Sequence, residues 1–295
     1  MFAWIPVFLA GTMLSSGEAV PPPMPKREIA PPAQPHAGKT LEVQVGELKG
    51  ELFLPRSVPP QESFVLTIHF HTVSWFAIGE HLDRGLQTPL LVLNFGQGSS
   101  VYQRPFRDPL ALGRWLEACR RALLAEGMPQ RVQISGLDLS SFSAGYGAVR
   151  ELVQQPDSLK LIRRVVLADS LYGSLDSNSS IRVAADESIL PWLPLAREAI
   201  EGKRTLLITV SEVPTETYAN STECARAIGA QLGLHPAPAS PQLPATRDPL
   251  FPLRSRIDKG ALHIWFYGGE DAQAHLTHVR HVADLWRAMD AAGNP

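Results

Sequence analysis

From about residue 41 onward, short apolar runs rich in β-branched residues alternate with stretches of helical period, and this rhythm constrains the fold more than any other feature of the chain. FVLTIHF (64–70), LLVLNF (90–95), VQISGLDLSS (132–141), RRVVLAD (163–169), RTLLITVS (204–211) and ALHIWFY (261–267) are apolar enough to be buried on both faces. Between and after them come WFAIGEHL, DPLALGRWLEACRRALLAEG, AGYGAVRELVQQ, TYANSTECARAIGAQLG and HLTHVRHVADLWRAMDAAG. Strand, helix, strand, repeated, predicts a mostly parallel sheet with helices on both faces. The leading LEVQV and ELKGELFLP alternate apolar with polar residues, as a half-exposed antiparallel pair would, which brings the expected sheet to eight strands. In the last helix Leu276, Val279, Val282, Leu285, Trp286 and Met289 form one apolar stripe, with His281 expected on the solvent side.

The 295 residues, 44% hydrophobic and 19% charged, suffice for a full core. A net charge of -2, with Lys and Arg dispersed, offers no footprint for nucleic acid. Two cysteines, Cys119 and Cys224, are too few for a disulfide scaffold or a thiolate zinc site. MFAWIPVFLAGTML followed by SSGEA reads as a secretory signal over residues 1–19, although no Lys or Arg precedes the apolar run. Seven prolines between residues 21 and 35 make 20–40 a semi-rigid tether, consistent with an exported protein held near a membrane or cell wall. Residues 41–295 then form one domain, interrupted by a lid-like insertion at 171–202 and by 235–258, which holds six prolines and no periodicity.

The most informative segment is LSSFSAGYGA, a strand running straight into a helix with Ser143 at the junction. A sharp strand-to-helix turn strains its central residue and crowds the positions two before and two after, here Ser141 and Gly145. The same turn aims the helix N-terminus at the serine oxygen and makes the Ala144 N–H a candidate oxyanion donor.

On this segment and on the strand order, residues 41–292 resemble the α/β-hydrolase family, whose G-x-S-x-G elbow would be Ser141-Phe142-Ser143-Ala144-Gly145, with serine in place of the first glycine. The resemblance implies an α/β-hydrolase fold, a small-molecule ester or amide substrate and no cofactor. It also implies a triad in chain order serine, acid, histidine. Ser143 would be the nucleophile. His275, between the last strand's loop and the helix, is the first candidate for the base, and His278, one turn on, is the alternate. Asp169 directly follows a strand, whereas Glu212 follows the next strand, where the family more often carries its acid; both stay open. The second oxyanion donor would come from Thr72 or Val73, where His71-Thr72 replaces the family's His-Gly signature.

Two other readings compete. His69, His71, Asp169 and the C-terminal histidines offer zinc-ligand chemistry for a metallohydrolase. The departures at Ser141 and Thr72 would also suit a catalytically silent hydrolase fold used as a binding module. Trp75, Phe76, Tyr146, Tyr172 and Trp192 are candidate pocket aromatics, each equally suited to core packing, and the glycine-rich NFGQGSS loop (94–100) is placed to border the pocket.

Overall fold

The computed structural model of the chain describes residues 30–56, 58–239 and 248–291. The expected signal at 1–19 and tether residues 20–29 lie outside the described residues. Among the described residues no helix is long and apolar enough to cross a membrane.

Among the described residues ten strands form one sheet. They are β1 (Gly38–Val45), β2 (Leu48–Pro55), β3 (Ser63–Phe70), β4 (Leu90–Leu93), β5 (Gln133–Phe142), β6 (Ile162–Ala168), β7 (Thr205–Val210), β8 (Ala237–Pro238), β9 (Leu253–Lys259) and β10 (Leu262–Tyr267). Their spatial order is β1-β2-β4-β3-β5-β6-β7-β10-β9-β8. The six runs expected to be buried on both faces are the six parallel strands from β4 to β10. The first strand begins at Gly38, ahead of the expected residue 41, and His36 Nε2 lies 2.7 Å from the Trp75 carbonyl. The two additional strands come from the proline-rich excursion. The residues of β9, LRSRIDK, mix charges with two apolar side chains, so this outer strand carries no buried run to reveal it.

The helices are α1 (Ser74–Asp83), α2 (Ser99–Phe106), α3 (Ala111–Ala125), α4 (Tyr146–Leu152), α5 (Pro156–Leu161), α6 (Asp186–Ile189), α7 (Leu193–Ile200), α8 (Ser221–Gln231), α9 (Ala272–Arg280) and α10 (Val282–Ala291). Side chains alternate across the sheet with period two. Leu66, Ile68, Leu137, Leu139, Val165 and Leu167 pack with Trp115 of α3, Val149 of α4 and Ala196 of α7. Val166, Ala168, Leu207 and Trp265 face the other way, onto Val279 of α9 and Leu285 and Trp286 of α10. Both cysteines are buried and free.

One expectation is corrected here and one open alternative is resolved. The C-terminal stripe is not one helix: the chain breaks at His281, which is buried rather than solvent-facing. Its ring lies 2.9 Å from Asp248 Oδ2 and 2.7 Å from Asp284 Oδ2 and stacks on Phe251. Trp192 is fully buried core, not pocket lining, because the second half of the 171–202 stretch is α7, the crossover helix between β6 and β7. Phe76 is likewise packed into the core beneath the sheet.

Candidate active site

Among the described residues three non-glycines adopt positive φ: His71 (66°), Ser143 (48°) and Asp169 (43°). They follow the C-terminal ends of the neighbouring strands β3, β5 and β6. Left-handed backbone costs an L-residue of order 1–3 kcal/mol and persists where surrounding structure enforces it, typically at functional sites. Three such residues side by side mark this edge of the sheet, where open α/β sheets bind ligands.

At the elbow, β5 gives way to a single 3₁₀ turn, Ser143–Gly145, and then to α4. Gly145 packs against β3 so closely that a Cβ there would meet the Phe70 carbonyl oxygen at 2.5 Å. Ser141 is compatible with the turn because its buried hydroxyl lies 2.8 Å from Ser170 Oγ, which in turn donates to the Ser143 carbonyl at 2.8 Å. Ser141, two positions before Ser143, therefore ties the elbow to Ser170, the residue after Asp169.

His275, near the start of α9, donates its Nδ1–H to Asp169 Oδ2 at 2.6 Å. The ring of Phe142, adjacent to Ser143, stacks on His275 at 4.5 Å. Asp169 is completely buried and receives the Ser211 N–H (3.0 Å) and hydroxyl (2.6 Å), together with the Ser221 hydroxyl. Burial opposes its charge. The imidazoles of His278 and His275 and the Ser211 bond outweigh that and hold the carboxyl below the usual carboxylate range.

The alternates are placed otherwise. Glu212 is exposed and accepts the Gly269 N–H at 3.3 Å. His278 is fully buried with Nδ1 2.8 Å from Thr209 Oγ1, and burial pushes it down to about 4. Ser211 and Ser221, which sequence reasoning missed, orient the carboxylate. Ser211 ends the TLLITVS run, and Ser221 opens α8 behind the Asn220–Glu223 capping box that the sequence does contain.

The β3–α1 loop turns at His71, so the left-handed residue precedes Thr72 and no glycine is needed there. Thr72 and Val73 follow it beside the elbow, since Phe70 pairs with Ser141 in register. His71 Nδ1 lies 2.8 Å from the Tyr102 hydroxyl, which accepts the Phe95 N–H at 3.1 Å and so packs the 94–100 loop onto this turn. Burial, with His275 adding to it, lowers the His71 pKa. His69 points to the opposite face, with Nδ1 2.7 Å from Ser140 Oγ, and burial pushes it down to about 3. The histidines therefore do not converge, and among the described residues no group of three or more His, Cys, Asp or Glu could hold a metal ion.

These buried histidines make stability depend on pH. His69 (about 3), His81 (about 4) and His278 (about 4) are all depressed by burial. Below about pH 6.5 the unfolded chain takes up protons that the folded chain refuses, so the folded state loses stability as pH falls from 6.5 toward 4. Three such groups give a slope of about 4 kcal/mol per pH unit near pH 5. Urea titrations at pH 7, 6 and 5 should show a steep fall. A flat profile would contradict the buried neutral assignments.

Six contiguous parallel strands, a strained serine elbow after the third of them in chain order, and a histidine after the last carry the topology. The fold is that of the α/β-hydrolases. No family model matches the sequence, and no curated protein does either. The chain is similar to the solved structure of an S-formylglutathione hydrolase from Agrobacterium tumefaciens, with 12% identity over 86% of this chain and 94% of that one and a TM-score of 0.46. It is also similar to a Pyrobaculum calidifontis esterase (10%, 88% and 86%, TM-score 0.47) and to a Bacillus subtilis carboxylesterase (10%, 88% and 93%, TM-score 0.45).

Proposed function

We propose that the protein is a serine hydrolase that cleaves a carboxylic ester through an acyl-enzyme on Ser143. The observation that carries this reading is the 2.6 Å bond from His275 Nδ1 to a buried Asp169 carboxylate, at the same sheet edge as the left-handed Ser143. With Nδ1–H committed to Asp169, the other ring nitrogen, Nε2, is the acceptor for the Ser143 hydroxyl proton. The Ser143 oxygen attacks the ester carbonyl, and the N–H groups of Ala144 and of Thr72 or Val73 receive the negative charge of the tetrahedral intermediate. Protonated His275 returns the proton to the leaving alcohol. It then takes one from water, whose oxygen attacks the acyl-enzyme carbonyl, and gives that proton to the Ser143 oxygen as the bond to the acyl group breaks and the carboxylic acid leaves. Asp169 fixes the tautomer and stabilises the imidazolium. Its donors, Ser211 and Ser221, keep the carboxylate aimed at His275.

Asp169→Asn should therefore lower kcat for p-nitrophenyl acetate on the order of ten-thousand-fold, because an amide favours the wrong histidine tautomer. Glu212→Gln should stay within about twofold, since its carboxylate caps a loop on the surface. The reverse ranking would remove Asp169 from the triad.

A further inference from the structure

β5 and β6 end side by side, with Ser141 opposite Leu167 and Phe142 opposite Ala168 in register. The chain beyond β6 therefore passes beside the elbow. Asp169 turns its carboxylate to His275. Ser170, completely buried, turns to the elbow: its hydroxyl lies 2.8 Å from Ser141 Oγ and donates to the Ser143 carbonyl at 2.8 Å. A hydroxyl has one proton to give. Since Ser170 gives its proton to the carbonyl, Ser141 must donate to Ser170, and the bonds run in one direction, from Ser141 O–H to Ser170 O–H to Ser143 C=O. Each bond in such a series polarises the next.

The group held in this way is a whole peptide plane. The Ser143 carbonyl and the Ala144 N–H belong to the same peptide unit, which is trans. The two therefore point in opposite directions from one rigid plane. A bond that fixes the carbonyl oxygen on the β6 side also fixes the direction of the N–H on the other. The plane has need of an anchor, because Ser143 holds a left-handed φ of 48°, which persists only where the surroundings enforce it. On the β3 side the elbow is already confined by the close packing of Gly145 on the Phe70 carbonyl.

We infer that Ser170 is a positioning residue for the oxyanion hole: by holding the Ser143 carbonyl, it aims the Ala144 N–H at the oxygen of the tetrahedral intermediate. The assignment rests on the Ser143 hydrolase reading. An oxyanion donor is placed for the charge that develops in the transition state and not for the ground-state carbonyl. The contribution of Ser170 therefore belongs to the chemical step and not to substrate binding. Its bond to the carbonyl also polarises the amide and makes the N–H a stronger donor.

The test is Ser170→Ala, which removes the hydroxyl and keeps Cβ. For p-nitrophenyl acetate, kcat and kcat/KM should fall together by about thirtyfold with KM unchanged, less than the loss of a donor outright. The second readout is inhibition by a trifluoromethyl ketone. The Ser143 oxygen adds to its carbonyl carbon, the carbonyl electron pair becomes an oxyanion, and the hydroxyl proton passes to His275. Affinity for this ketone should weaken by the same factor as kcat. A merely structural role would lower activity through the folded fraction and leave ketone affinity per active site as it is. Wild-type kcat in folded Ser170→Ala, or a loss of kcat without loss of ketone affinity, overturns the anchor. Ser170→Cys keeps a weaker donor and should give a smaller paired fall of about fivefold. It carries the test if the alanine variant does not fold, and unchanged ketone affinity there overturns the anchor as well. In each of these cases wild-type turnover and phosphonate labelling of Ser143 leave the hydrolase reading standing. A wild type that neither hydrolyses the ester nor labels at Ser143 overturns both.

Discussion

Ser143→Ala is expected to lower kcat by about a million-fold and to leave the melting temperature within a few degrees of wild type. The two halves of this expectation have separate causes. The substitution removes the nucleophilic oxygen, and with it every step that passes through a covalent intermediate. It keeps Cβ, so the left-handed φ of 48° is no worse for alanine than for serine, and the Ser170 bond to the residue-143 carbonyl involves backbone that alanine retains. Calorimetry and ester turnover on the same preparation separate chemistry from folding. A variant with wild-type esterase activity would mean that another group attacks the ester.

His275→Ala should fall on the order of a million-fold as well, because base, acid and nucleophile activation are lost together. His278→Ala should behave differently. That imidazole is fully buried against Thr209, Phe251 and Tyr267, so its removal opens a cavity and takes the shorter of the Thr209 hydroxyl's two hydrogen bonds, leaving the one to the Leu167 carbonyl. The expected cost is roughly 2–4 kcal/mol of stability, with kcat within about tenfold of wild type. Measuring the urea midpoint beside kcat for both variants distinguishes them. Equal, mild kinetic effects in both would exclude a base on α9.

The six parallel strands were legible because each is buried on both faces and so reads as a continuous apolar run. β9 was not, since Arg254, Arg256 and Asp258 leave it no continuous apolar run and pairing with β10 and β8 orders it. The break at His281 was hidden for a related reason: the apolar stripe continues through it, and what turns the ring inward is Asp248, which is 33 residues away in sequence. The candidate site divides along the same line. Ser143, Asp169 and His275 stood out because each sits at the end of a strand or the start of a helix that periodicity could locate. Ser211 did not, although it is one residue from Glu212. Adjacent residues at a strand end point to opposite sides, so Ser211 turns to Asp169 and Glu212 to the surface. That choice depends on where the Asp169 carboxylate lies, which neither segment encodes alone.

The most direct measurement is covalent labelling of the intact protein with a fluorophosphonate, followed by peptide mass spectrometry in the wild type and in Asp169→Asn. The account predicts stoichiometric modification of the wild type on the peptide containing Ser143, with loss of ester hydrolysis in step with labelling, and labelling slowed by orders of magnitude in Asp169→Asn. A wild-type chain that hydrolyses esters while Ser143 stays unmodified, or that labels equally fast without the Asp169 carboxylate, would contradict it.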